Sequence, residues 1–275
     1  MIFVSLFSLT IFGGLLSGYA VFVEPRMVTV AEYEIVSENL PDGFHGKKIA
    51  LIADIHHGYP RSPHLLDQIL RLTKEQSPDI ILLGGDYARE HPKFLADCFA
   101  KLSELDAPWE VYAVLGNHDY WNVPLMRTTI RDAGIELLEN DAVWLEEKGE
   151  RILLAGVDDL WHGNPSLTGL RRKLAESDFT VLLSHNPDYY DVMSPEDRNQ
   201  IDLMLSGHTH GGQITVFGFY APKRTAQAKY TSGLVKPDAG PTHIIISNGV
   251  GTVGLPIRFF ARPQIVLVTL KNQRL

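Results

Sequence analysis

The chain has 275 residues and a formal net charge of −8, from 25 Lys+Arg against 33 Asp+Glu. At 45% hydrophobic and 21% charged it is neither disordered nor fibrous, and it can bury a full core. The one cysteine, Cys98, excludes a disulfide framework and a Cys-rich zinc knuckle, and the negative balance argues against nucleic acid as a partner.

The first element is apolar. Ile2 to Val23 carries no charge and is long enough to cross a hydrocarbon core as a helix. An uncleaved membrane anchor is favoured over a signal peptide, because no basic residue precedes the run. Gly18-Tyr19-Ala20 keeps the small-x-small form of a cleavage site, so both assignments stay open. An interior helix is disfavoured because the run is apolar on every face. Gly14 and Gly18 form a G-x-x-x-G pair, which permits close helix contact. Arg26, Lys47 and Lys48 follow the run, and by the positive-inside bias they keep the remainder in the cytoplasm.

From Lys48 a theme repeats: a β-branched or Leu-rich run ends abruptly in Asp, Asn, His and Gly. Ile49–Ala53 leads into Asp54-Ile55-His56, and Ile80–Leu83 into Gly84-Gly85-Asp86. Val111–Leu115 leads into Gly116-Asn117-His118-Asp119. Val181–Leu183 leads into Ser184-His185, and Ile201–Leu205 into Gly207-His208-Thr209-His210. Leu66, Ile69, Leu70 and Thr73 fall on one helical face, and further helices are expected over Pro92–Ser103 and Val123–Ala133. Strands are also expected over Ile152–Val157, His243–Ser247 and Gln264–Leu270. Alternating strands and helices place polar groups at strand C-termini, and the strand-rich later chain suggests two packed sheets flanked by helices.

These strand ends offer oxygen and imidazole donors only. Asp54, His56, Asp86, Asn117, His185, His208 and His210 suit Mn, Fe, Zn or Mg rather than a thiophilic metal. They are too many for one ion and suit two ions sharing a carboxylate, which would clamp the attacking and leaving oxygens of an in-line displacement. Asp-x-His or Gly-Asp alone is a common turn. Five of the eleven histidines (56, 118, 185, 208 and 210) fall in these slots, which is hard to credit to independent core histidines.

The series Asp54-x-His56, Gly85-Asp86, Gly116-Asn117-His118-Asp119, His185 and Gly207-His208-x-His210 resembles the calcineurin-like metallophosphoesterase superfamily. The resemblance spans roughly Lys48 to Leu270 and implies an α/β fold, a four-layer α/β/β/α sandwich, here with an N-terminal membrane helix. It divides the chain into an anchor or signal-like segment (1–24), a linker and leading strand (25–47) and a catalytic domain (48–275). It implies two divalent ions, Mn first among them, and a bridging hydroxide that attacks phosphorus. By the same resemblance Asp54, His56, Asp86 and His210 hold one ion. Asp86 bridges, and Asn117, His185 and His208 complete the second. His118 serves the leaving-group oxygen as acid or stabiliser, Asp119 orients its ring, and Asn117 also meets a phosphate oxygen.

Gly207–Gln213, Gly249–Thr252 and Pro256–Pro263 narrow the resemblance to a bacterial membrane-associated branch. That branch contains phosphodiesterases and the UDP-2,3-diacylglucosamine pyrophosphatases of lipid A synthesis. It implies a single-pass protein of the bacterial inner membrane. His57, Asn248 and Gln264 depart from the pattern, where an apolar residue, Arg and Glu are expected. Between Gly212 and Thr242, Lys223, Arg224, Lys229 and Lys236 stand against Asp238, interleaved with Phe217, Phe219, Tyr220 and Tyr230. The stretch is either an ordinary solvated loop or a substrate wall in which Lys223 and Arg224, with Arg258 further on, meet phosphate. The expected reaction is hydrolysis of a phosphodiester or pyrophosphate, lipid-linked or nucleotide in kind. The alternatives are a broad phosphomonoesterase or phosphoprotein phosphatase, and a non-catalytic metal-binding scaffold.

Overall fold

Each apolar run becomes a short buried strand, and each polar run becomes the loop that leaves it. The structure is a computed structural model and describes residues 11–58, 63–216, 219–220, 229–238 and 240–275. In chain order the first strands are β1 (Thr29–Ser37), β2 (Lys48–Ile52), β3 (Ile80–Leu83), β4 (Val111–Ala113) and β5 (Glu136–Leu137). Then come β6 (Asp141–Glu147), β7 (Glu150–Gly156), β8 (Thr180–Leu183), β9 (Leu203–Ser206), β10 (Thr215–Val216) and β11 (Phe219–Tyr220). The last are β12 (Gly233–Val235), β13 (His243–Ile246) and β14 (Gln264–Asn272). The main helices are α1 (Pro63–Gln76), α2 (Pro92–Leu102), α3 (Val123–Asp132) and α4 (Arg171–Ala175).

Among the described residues the strands form two six-stranded sheets and a β10–β11 hairpin. The first sheet runs β1-β14-β2-β3-β4-β5, with β2 to β5 parallel and β14 antiparallel to β2. The second runs β12-β13-β9-β8-β7-β6, parallel within and antiparallel at both edges.

Strand alternation sorts the side chains into layers. Ile49, Leu51, Ile80, Leu82, Val266 and Val268 face Ile152, Leu154, Val181, Leu183, Leu203 and Leu205 between the sheets. From the same strands Ala50, Ile52, Ile81 and Leu83 turn outward onto Leu66, Ile69, Leu95, Phe99, Met126 and Ile130 of α1, α2 and α3. Leu153, Leu182, Met204 and Ile246 pack under Leu170, Leu174, Tyr189 and Tyr190 on the far side. The layers are therefore helix, sheet, sheet, helix.

Two expected helices start on caps: His91 accepts from the Lys93 N–H, and the Asn122 side chain accepts from the Leu125 N–H (3.2 Å). The expected strand Ile201–Leu205 begins at Leu203, because Ile201 N–H closes a turn onto Arg198 O and the Asp202 carboxylate accepts from Thr180 N–H. β1 pairs in parallel with β14 from Thr29↔Gln264 to Ser37↔Asn272, so the leading strand is locked to the last one.

The described part of the N-terminal segment is helical and ends against the domain. Residues 11–18 are α-helical, Tyr19–Val23 widens into a π turn and Glu24–Arg26 tightens into a 3₁₀ turn. Ala20 O accepts from Arg258 N–H and Glu24 Oε1 from Ala261 N–H, so this end of the segment rests on the domain. Phe12, Leu15 and Phe22 are exposed. Among the described residues no helix is long and apolar enough to cross a membrane; residues 2–10 of the apolar run, which the expected membrane helix also includes, lie outside the described residues.

Candidate active site

The donors leave the C-terminal ends of β2, β3, β4, β8 and β9. Asp54, His56, Asp86, His208 and His210 all have positive φ, between 45° and 72°. Non-glycine residues rarely sit there, and such conformations persist only where the surroundings enforce them. Here Asp54 N–H donates to Gly85 O, His56 N–H to Asp86 O and His57 N–H to Tyr87 O, so the loops after β2 and β3 are zipped together. Both Asp54 oxygens accept from His208 N–H (3.0 Å), and Asp86 Oδ1 accepts from His118 N–H (2.8 Å). A Cβ on Gly116 would run into the Asp86 carboxylate, and one on Gly207 into Asp54 Oδ2.

The donor atoms fall into two groups around one carboxylate oxygen. His56 Nε2 lies 3.1 Å from His210 Nε2 and 3.4 Å from Asp86 Oδ2, and His210 Nε2 lies 3.5 Å from Asp54 Oδ1. On the other side His185 Nε2 lies 3.5 Å from the same Asp86 Oδ2 and 3.2 Å from Asn117 Oδ1. His208 Nδ1 lies 2.9 Å from Asn117 Oδ1 and 3.3 Å from His185 Nε2. Asp54, His56 and His210, and again Asp54, Asp86 and His185, can each offer donors within 4.8 Å of one another. Lone pairs so gathered cannot all be satisfied by sharing protons, since two facing Nε2 atoms accommodate one proton at most. Donors about 2.1 Å from a cation stand roughly 3.0–3.4 Å apart, so the spacing fits metal ligation.

The electrostatics agree. Burial pushes His56 down to about 4 and His208 down to about 3, with the neighbouring His185 adding to the latter, and burial likewise drives His210 well down. These rings are neutral at pH 7, the form that binds metal. Burial also opposes charge on His185, but the Asp86 carboxylate outweighs it and lifts the ring to about 10. Burial raises Asp54 to about 7, with Asp86 adding to the rise against His185; burial acts the same way on Asp86, where His185 and His56 overcome it and hold the carboxyl low. The metal-free site therefore keeps a proton on His185 where a cation would serve. His185 Nδ1 is paired with Gly84 O (2.7 Å), which turns Nε2 toward the other donors.

Beside the first group lies a cleft of about 280 Å³ lined by His56, Arg89, Glu90, His118, Thr252, Val253 and Gly254. The His118 ring stands edge-on to His56 at 5.0 Å, half-open to solvent, with Nδ1 3.8 Å from Glu90 Oε1.

Two expectations change, and a third falls on residues outside those described. Asp119 does not orient the His118 ring: its buried carboxylate accepts from the backbone N–H groups of Asp86 (2.8 Å), Tyr87 (3.1 Å) and Gly116 (2.8 Å). Arg258 is 0% exposed, and its guanidinium donates to the carbonyls of Gly251, Asn248, Gly249 and Ala261, so it braces a loop rather than meeting substrate. Lys223 and Arg224 lie outside the described residues, while Lys229 and the Tyr230 hydroxyl are tied to Asp191. Of the departures, His57 packs edge-on to Phe94, Asn248 donates to Arg262 O, and Gln264 N–H donates to Gly249 O at the start of β14. Arg89 and Glu90 also line the cleft, though no motif in the sequence marks them as site residues. The loop after β7 is likewise unmarked, although Val157-Asp158-Asp159 is a further apolar run ending in carboxylates.

A two-sheet α/β fold with paired donor groups at its strand ends defines a metallohydrolase of the two-sheet class. The chain belongs to the calcineurin-like phosphoesterases, whose family model matches residues 47–212. It is 34% identical over 262 residues to the Bacillus subtilis protein YkuE, an uncharacterized metallophosphoesterase, covering 93% of this chain and 90% of that one. It is 32% identical over 264 residues to the Escherichia coli phosphodiesterase YaeI, covering 92% of each. A solved dimetal phosphatase from Danio rerio shares the fold at 15% identity and a TM-score of 0.51, over 82% of this chain and 99% of that one. The protein is thus a metallophosphoesterase.

Proposed function

We propose that the protein hydrolyses phosphodiester or pyrophosphate bonds with two divalent ions, Mn²⁺ foremost. The observation that carries this reading is Asp86 Oδ2, at 3.4 Å and 3.5 Å from His56 and His185, between two sets of donors. Asp54, His56, Asp86 and His210 hold one ion, and Asp86, Asn117, His185 and His208 the other. When bound, the ions supply Lewis acidity and a water acidic enough to act as nucleophile near neutral pH.

The remaining roles belong to side chains. Asn117 keeps Oδ1 toward His185 and His208, which leaves its amide N–H₂ for a phosphate oxygen. Arg89, lining the cleft, offers a guanidinium to the phosphate. His118 carries Glu90 on its Nδ1 side, so Nε2 is the atom that gives a proton to the departing oxygen. Likeness to YaeI supports a diester over a monoester.

The exposed Phe12, Leu15 and Phe22 support an N-terminal segment that meets a membrane surface. By the same proposal that membrane is the bacterial inner membrane, residues 48–275 are catalytic on its cytoplasmic side, and the substrate is lipid-linked, such as UDP-2,3-diacylglucosamine.

Hydrolysis of bis-p-nitrophenyl phosphate, p-nitrophenyl phosphate and UDP-diacylglucosamine, side by side with Mn²⁺, Mg²⁺ and Zn²⁺, tests the reading. Diester or pyrophosphate turnover above monoester turnover is expected. A monoester preference would favour the phosphomonoesterase, and no turnover with any metal would defeat both. Flotation of the full-length chain with phosphatidylglycerol vesicles tests the membrane reading, and recovery only in the dense fractions would overturn it.

A further inference from the structure

The loop after β7 is built to hold an indole open to solvent beside the second donor group. Asp159 is buried, and its Oδ1 accepts from Trp161 N–H (2.9 Å) and His162 N–H (2.8 Å). The Asp158 carboxylate accepts from the Tyr120 hydroxyl and from Asn164 N–H. Asn140 Oδ1 accepts from Asp158 N–H (3.2 Å) and Ser166 N–H (2.8 Å), and its amide donates to Asn164 O (3.0 Å). Both ends of the loop are thereby fixed.

That side chain is Trp161, 52% exposed, with its ring centre 4.3 Å from that of His208 and the planes at 89°. His208 itself is 5% exposed. The indole therefore meets a candidate metal ligand and turns the rest of its surface to water. The Tyr120 and His162 rings lie 6.1 Å apart in the same region. A rigid, half-exposed aromatic next to a polar site is a preorganised contact surface, because little entropy is lost when a ligand covers it.

We propose that Trp161 is the platform for the retained ester group, and that this group is a planar aromatic ring such as an aryl group or a nucleobase. The proposal rests on the phosphodiester reading above. His118 stands against His56, so the leaving group departs on that side; Trp161 stands against His208, on the side of the other donor group. The exposed face of this loop carries an aromatic ring, a surface suited to a flat, polar-edged group.

The test uses the full chain loaded with Mn²⁺ and two diesters with one leaving group, bis-p-nitrophenyl phosphate and methyl p-nitrophenyl phosphate. The ratio of their kcat/KM values, aryl over methyl, falls about tenfold in Trp161→Ala and is largely kept in Trp161→Phe, as loss and retention of one stacked ring require. Calorimetric binding of phenylphosphonate and methylphosphonate reads the same preference without turnover, and the same fall in ratio is expected. A ratio unchanged in Trp161→Ala in either assay overturns the proposal, as does an equal loss on both ligands with weaker Mn²⁺ binding, which would make Trp161 a prop for His208. If the wild-type protein hydrolyses neither diester, the phosphodiester reading fails, and the phosphonate ratio still decides the role of Trp161.

Discussion

Replacing Asp119 by Ala removes the shared acceptor of three buried N–H groups, those of Asp86, Tyr87 and Gly116. A hydrogen bond to a charged acceptor contributes about 1.5–3 kcal/mol, and a buried donor left alone costs about 1–3 kcal/mol. The three bonds share one carboxylate and do not add fully. Burial and the neighbouring Asp86 also raise the Asp119 pKa to about 7, so ionising it in place offsets part of the gain. The net loss comes to about 3–5 kcal/mol. For 275 residues the unfolding entropy is about 0.6 kcal/mol/K, so Tm falls by about 5–9 °C.

The same three bonds fix the turn that presents Asp86 to both donor groups, so Mn²⁺ affinity falls as well, by about 10–100-fold. Asp119→Asn recovers part of each loss, since its amide oxygen accepts while its N–H₂ opposes the remaining donors. Scanning calorimetry of the metal-free protein and Mn²⁺ titration measure the two effects. A wild-type Tm and Mn²⁺ affinity in both variants would refute the reasoning, above all if turnover of esters with poor leaving groups fell more than that of p-nitrophenyl esters. That pattern would return Asp119 to a proton-transfer role through His118.

His118→Ala is expected to bind both ions yet lose about 10²–10⁴-fold in turnover, less with p-nitrophenolate as leaving group; equal losses across leaving groups would argue against proton donation. Asp86→Ala removes metal binding and activity together, and turnover persisting in excess EDTA would defeat the two-ion assignment. Arg258→Met strips the carbonyls of Asn248, Gly249, Gly251 and Ala261 of a buried donor, so it costs about 3–5 kcal/mol and shows as a lower Tm; a raised KM at unchanged Tm would restore a substrate role. His185, lifted to about 10 by Asp86, and Asp54, raised by burial to about 7, must both lose their protons when metal binds, so Mn²⁺ uptake at pH 7 releases between about one and two protons and tightens as pH rises; calorimetry in buffers of different ionisation enthalpy measures it. The raised His185 pKa gives the metal-free fold stability that is complete below pH 6.5 and lost as pH climbs through about 10, a decline that thermal melts follow.

Much of the site was legible because its residue types are foreign to their setting. A buried strand such as Ile80–Leu83 has no use for a carboxylate, so Asp86, two glycines beyond its end, marks a place where polar groups gather. Local neighbours misled where backbone direction decides. Asn117–Asn122 forms a 3₁₀ turn, and consecutive residues there point about 120° apart, so Asp119 faces the β3 loop while His118 faces the cleft. Arg258 beside Phe259 and Phe260 looks like phosphate-binding chemistry, but the carbonyls that enclose it come from residues 248 to 251 and Ala261, and no local pattern announces them. The pairing of β1 with β14 joins residues more than 200 positions apart, which periodicity cannot register.

Asp54, His56, Asp86, His208 and His210, five of the eleven described non-glycine residues with positive φ, connect the fold to the chemistry. Each costs roughly 1–2 kcal/mol against an ordinary conformation, so together they take up an amount comparable with the whole net stability of a domain. A chain carries such strain only where packing enforces it, and here three buried clusters and the laddered loops do so. The geometry shows what the strain achieves. Residues i and i+2 of an extended segment share a side, and a left-handed residue at each of those positions bends the segment around a point instead of past it. Asp54 with His56, and His208 with His210, are two such pairs, one leaving each sheet, and the Asp54 carboxylate receives the His208 N–H that joins them. The Asp-x-His and His-x-His spacings are therefore requirements of the backbone as well as of the metal. A glycine at these four positions would relieve the strain and lose the donor, so the polar residues stay where the fold least favours them.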